Sequence, residues 1–89
     1  MKKISRFDRL SDLLSERNPE ALLADGFEDA LVGIAQQFSR HLALYDYDLC
    51  VQVLKKRDGM THTDALERME YNVVGSYAGE NTPLFLIAD

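Results

Sequence analysis

The sequence predicts a small α+β domain with the order helix, helix, strand, strand, helix, helix, strand. Three observations point there. Apolar residues recur at helical spacing in residues 5–17, 48–57 and 61–74. Between them, Leu31-Val32-Gly33-Ile34 and His41-Leu42-Ala43-Leu44-Tyr45 read as two strands of a hairpin joined across Ser39-Arg40. After Pro83, Leu84-Phe85-Leu86-Ile87 reads as a last strand completing a small sheet. At 89 residues the chain holds one core, a single domain over 1–89. It is divided into an N-terminal helical segment, 1–24, and a core, 25–87.

Each element has its own signals. Ser5 with Asp8 resembles a capping box, and Phe7, Leu10, Leu13 and Leu14 form the inner stripe of a helix reaching Arg17. Asn18-Pro19-Glu20 predicts a restart: Asn caps, Pro suits the first helical position and Glu favours the positive dipole end. The short helix that follows, Ala21-Leu22-Leu23-Ala24, would end at Asp25-Gly26. Residues 27–38 are ambiguous. Phe27, Leu31, Ile34 and Phe38 fit a helical stripe, but β-branched Val32 and Ile34 around Gly33 favour a strand, which is the reading adopted. From Asp48 to Arg57, Leu49, Cys50, Val53 and Leu54 share one helical face, Asp46 or Asp48 caps it, and Lys55, Lys56 and Arg57 sit before the C-capping Gly59. Thr61 with Asp64 starts the next helix, whose Ala65, Leu66, Met69 and Val73 face inward until Gly75 ends it.

Composition narrows the function classes. A hydrophobic content of 46% and a charged content of 28% describe an ordinary globular chain. No apolar run approaches the ~20 residues of a membrane span, so a soluble cytoplasmic protein is expected. The single cysteine, Cys50, reads as a small buried hydrophobe. The net charge is −5, with Lys2, Lys3, Arg6 and Arg9 against Asp8 concentrating positive charge at the start. An acidic body disfavours direct nucleic-acid binding and suits a basic protein partner.

Candidate sites fall between Tyr45 and Asn81. Asp46-x-Asp48 after a strand has the form of a metal or phosphoryl-transfer pair, but Leu49 stands where the haloacid dehalogenase type has Thr. One aspartate capping a helix is the stronger reading. His41 and His62 lack partners at metal-ligand spacing, so no metal or cofactor is expected. The helices joined by Asp58-Gly59-Met60 match a helix-turn-helix in length. Arg68 stands alone there among Asp64, Glu67 and Glu70, however, which phosphates would repel. Asn72 is either exposed or bonded to the following loop, and the tyrosines read as core residues or interface anchors.

The ordered motifs Asp25-Gly26-Phe27 through Gly33-Ile34, Tyr45-Asp46-Tyr47-Asp48, Arg57-Asp58-Gly59-Met60-Thr61, Asn72-Val73-Val74-Gly75 and Gly79-Glu80-Asn81-Thr82-Pro83 resemble a small family common in bacteriophage genomes. The resemblance covers about two-thirds of the chain and favours strand for Leu31–Gln37. It implies a phage origin without an established activity. Relatives carry a Gly- and Pro-rich turn near Ser39–His41, which this chain lacks. The expectation is a non-enzymatic protein that binds a host protein stoichiometrically, inhibiting an enzyme or defence complex. Tyr45, Asp46, Tyr47, Asp48, Asn72, Tyr77, Glu80 and Asn81 form the expected contact surface. The alternative is a small-ligand or nucleotide-binding homo-oligomer, motivated by the Gly75–Gly79 loop and the tyrosines.

Overall fold

Ser5 starts the first helix in the computed structural model, which describes residues 5–76 and 78–88. Its hydroxyl accepts the Asp8 amide at 3.1 Å, and α1 runs over Arg6–Arg17. Phe7, Leu10 and Leu14 turn to the core, while Asp8, Asp12 and Glu16 stay exposed. Asn18 ends the helix, donating its backbone N–H to the Leu14 carbonyl at 2.7 Å.

The expected second helix over Ala21–Ala24 does not form. The Asn18 side chain does accept the Glu20 amide at 3.2 Å, as a cap would. The next amides find distant acceptors instead. Leu22 N–H donates to the Asn81 carbonyl at 3.0 Å, and Ala24 N–H donates to the Tyr45 hydroxyl at 2.8 Å. Four apolar residues are too few to sustain a helix nucleus, so tertiary bonds decide the backbone. A single 3₁₀ turn, Glu28–Ala30, leads into the sheet.

Strands β1 (Leu31–Gln37) and β2 (Arg40–Asp46) form the expected antiparallel hairpin, with Phe38-Ser39 as a two-residue loop. Phe38 has φ 53 and is 93% exposed. A side chain in that left-handed region costs roughly 1–2 kcal/mol, which is why such loops favour Gly or Asn. A bulge lies between Leu31 and Gly33. Without it, Val32 would fall opposite Tyr45; with it, Leu31 takes that place and is buried beside Ile34 on one face. β3 (Leu84–Leu86) pairs in parallel with β2, giving a mixed sheet in the order β1-β2-β3.

The remaining helices follow directly. α2 (Tyr47–Asp58) begins where β2 ends, its first turn capped by Asp46 Oδ1 accepting the Leu49 amide at 3.1 Å. Gly59, at φ 65, stops it. α3 (His62–Arg68) starts at Thr61, whose hydroxyl accepts the Asp64 amide at 3.1 Å. The single helix expected to reach Gly75 instead widens into a π-helical turn, Met69–Val74. Gly75 is required there: a Cβ would lie 2.8 Å from the Glu70 carbonyl oxygen.

The two faces of the sheet differ. Residues paired across strands share a face. Leu31 with Tyr45, Ile34 with Ala43 and Tyr45 with Phe85 belong to the core shared with Leu14, Cys50, Val51, Leu54 and Met69. Gly33 with Leu44, Ala35 with Leu42, Leu44 with Leu84 and Asp46 with Leu86 lie on the opposite face and take no part in that cluster. The second face is covered in part by the chain itself: Leu42 is 3% exposed, and Tyr47, Val74, Thr82 and Pro83 line a cleft with it.

Candidate functional site

Folding uses much of the surface expected from the sequence. Tyr45 is fully buried, stacks on Phe85 with ring centroids 5.9 Å apart, and accepts the Ala24 amide. Tyr47 is 9% exposed and donates its hydroxyl to Glu70 Oε2 at 2.7 Å. Asp46 is the helix cap, half-buried, whereas Asp48 is exposed. Asn81 accepts the Asn18 amide group at 3.0 Å through Oδ1 and the Leu22 amide through its carbonyl. Glu80 pairs with Arg40 at 2.9 Å on the surface. Asn72 is exposed, and its carbonyl, not its side chain, accepts the Ser76 hydroxyl. Tyr77 lies outside the described residues. Among the seven described residues, Tyr45 and Tyr47 are taken up by the core, whereas Asp48, Asn72 and Glu80 are exposed.

Burial keeps the Cys50 thiol and the Tyr47 hydroxyl in their protonated forms. Burial, with a smaller contribution from the Asp46 charge, pushes the Cys50 thiol up to about 12. Burial and then the Glu70 hydrogen bond push the Tyr47 hydroxyl up to about 12. Among the described residues, no three His, Cys, Asp or Glu side chains are grouped to hold a metal ion. The Gly75–Gly79 loop does not resemble a phosphate cradle at its first glycine, where the steric demand comes from the Glu70 carbonyl.

These two groups set an alkaline limit on stability. Their ordinary values are 9.0 for the thiol and 10.0 for the phenol, so the unfolded chain loses these protons well before the folded chain does. Folding then binds protons, and stability falls as pH rises. The contribution is fully present below pH 9 and is lost on the way to 12. The urea midpoint is therefore expected to be level between about pH 7 and 8.5 and to drop steadily above 9. Cys50→Ala should delay the onset to about 10. A midpoint independent of pH up to 11 would contradict this assignment.

One aromatic stands apart. Tyr71, in the π-helical turn, is 79% exposed. It borders a shallow cleft of about 380 Å³ with Met60, Asp64, Glu67, Arg68 and Asn72. The helical repeat puts residues 64, 67, 68 and 71 on one stripe, opposite the inward Ala65 and Met69. Arg68 lines the same cleft. Around Tyr71 the exposed carboxylates of Asp64 and Glu67 thus stand against the single guanidinium of Arg68, leaving the stripe acidic. An aromatic face beside two carboxylates suits a lysine or arginine, through charge and cation–π attraction together. The sequence carries a signal for this stripe in Asp64-x-x-Glu67-Arg68-x-x-Tyr71, the spacing of one helical face.

No protein-family model, curated protein or solved structure matches this chain.

Proposed function

We propose that this chain acts by stoichiometric binding of a protein partner, through Tyr71 and the carboxylates beside it. The exposure of Tyr71 within an acidic stripe is the observation that carries the reading. Tyrosines fixed on a rigid element are favoured binding anchors, because they bring large contact area with little side-chain entropy to lose. Residues 62–74 are anchored from behind by buried Ala65 and Met69, and Gly75 locks the wide turn. The partner is a protein presenting lysine or arginine. The resemblance of the ordered motifs to a phage family makes a cytoplasmic host protein, an enzyme or a defence complex, the class to search first.

Capture from bacterial lysate tests the proposal. The wild-type chain should retain a specific basic protein, and Tyr71→Ala should weaken that complex by tenfold or more, about 1.4 kcal/mol. Affinity should also fall with added salt. Because Tyr71 is exposed, its replacement should leave the melting temperature within about 2 °C of wild type. Absence of any specific partner, or a Tyr71→Ala chain binding within twofold of wild type, would overturn the reading.

A further inference from the structure

The chain holds two Asp-Gly pairs, Asp25-Gly26 and Asp58-Gly59. Such a pair carries a reaction of its own. Glycine has no side chain to shield its backbone nitrogen, which can attack the carboxyl of the aspartate before it. The rate depends on the state of that carboxyl and on what accepts the proton from the nitrogen. The surroundings of the two pairs differ in both respects.

At Asp58 the carboxyl is held as an anion. Arg57 Nε and Nη2 donate to its two oxygens, both at 3.1 Å. These hydrogen bonds, with the guanidinium charge, keep the group below its ordinary value, and an anionic carboxylate is a poor electrophile. Asp58 is also the last residue of α2, so the helix fixes its backbone. Asp25 stands exposed in a turn and forms no ion pair among the described residues.

Gly26 has the proton acceptor in place. Its N–H donates to Glu28 Oε1 at 3.4 Å, so a carboxylate lies on the proton that must leave. Its carbonyl accepts Arg57 Nη1 at 2.6 Å, which sets a cation beside the glycine as its nitrogen gains negative charge. The same Nη1 lies 2.6 Å from where a Cβ would stand, and φ is 88, so the position requires glycine. One arginine therefore quiets Asp58 and holds Gly26 open.

We propose that Asp25-Gly26 is a self-modification site, where the chain rearranges its own backbone with Glu28 as general base. Glu28 takes the Gly26 amide proton and the nitrogen bonds to Cγ of protonated Asp25. The carboxyl hydroxyl then leaves with that proton as water, giving a cyclic imide. Solvent water opens the ring. Cleavage of the Cγ–N bond restores aspartate; cleavage between the nitrogen and the Asp25 backbone carbonyl leaves isoaspartate, with the chain running through the side chain. One water leaves and one returns, so the mass is unchanged and Glu28 ends as it began. The rearranged backbone is one carbon longer between Ala24, whose amide donates to Tyr45, and Gly26, whose carbonyl is held by Arg57. The modified form is expected to unfold at lower urea concentration, because that added carbon displaces the two bonds relative to each other.

Incubation of the folded chain at about pH 6, where carboxyls still bind some protons, tests the proposal. Peptide mapping with an aspartate-directed protease reads the result, since the bond before an isoaspartate resists cleavage. Isoaspartate should accumulate at residue 25 at least about tenfold faster than at residue 58. In denaturing urea, which removes the surroundings of both pairs, the two rates should converge. Glu28→Gln, at an exposed position, should slow the change at residue 25 by about tenfold, a modest share of what a well-placed base supplies. Equal rates at the two pairs in the folded wild-type chain, a comparison that needs no variant, would refute the proposal. So would a folded Glu28→Gln chain that rearranges at the wild-type rate.

Discussion

Tyr45→Ala is expected to remove about 3–5 kcal/mol of folding stability, the largest single effect in the molecule. The whole chain has roughly 4–13 kcal/mol to lose. Tyr45 is the central residue of the core: it sits in the middle strand, opposite Leu31 on one side and Phe85 on the other, with no exposed surface. Truncation opens a cavity between three elements that cannot all collapse into it, and the Phe85 ring loses its stacking partner. The hydroxyl contributes separately. Tyr45→Phe leaves the Ala24 amide without its acceptor and should cost about 1–2 kcal/mol. Equilibrium urea unfolding at neutral pH measures both. A Tyr45→Ala chain within 1 kcal/mol of wild type would mean that this stack is not the centre of the core.

Asn18→Ala should cost about 2–4 kcal/mol, a large effect for a half-buried polar residue. The Asn18 side chain ties three separate parts of the chain. Its amide group donates to the His41 carbonyl at 2.8 Å and to Asn81 Oδ1 at 3.0 Å, while its oxygen accepts the Glu20 amide at 3.2 Å. Removal leaves the carbonyl and the Asn81 oxygen without a donor in a partly buried position. Segment 19–26, which lacks regular structure, should then exchange its amides faster. Asn18→Asp is the discriminating variant. It retains the acceptor for Glu20 but replaces both donors by oxygen, so it should be nearly as destabilising as Ala. A double-mutant cycle with Asn81→Ala should show coupling of about 0.5 kcal/mol or more; strict additivity would remove the direct bond from the account.

Local rules made the caps, the hairpin and the last strand legible in the sequence. Ser5, Asp46 and Thr61 accept the amides that their spacing implies, and Gly59 adopts the left-handed geometry expected of a C-cap. What sequence reasoning missed depends on distant partners. Asn18-Pro19-Glu20 has every signal of a helix start, yet the amides of Leu22 and Ala24 are claimed by Asn81 and Tyr45, 59 and 21 residues further along the chain. The π-helical turn at Met69–Val74 carries no composition signal either, although Gly75 marks where the wide turn brings a carbonyl too close for a side chain. Among the expected contact residues, Tyr45 and Tyr47 were ambiguous between anchor and core, and only packing distinguishes the two. Tyr71 was obscured because its neighbours looked like an ordinary solvated helix face.

The parallel pairing of β3 bears on the order of folding. The β1–β2 hairpin closes over two residues and forms on the microsecond scale. Leu84 meets Leu44 only after the 39 intervening residues have been folded across α2 and α3, so this contact carries most of the loop-closure entropy. The last strand to dock is thus β3, and the Tyr45–Phe85 stack at the centre of the core is completed only at that late step.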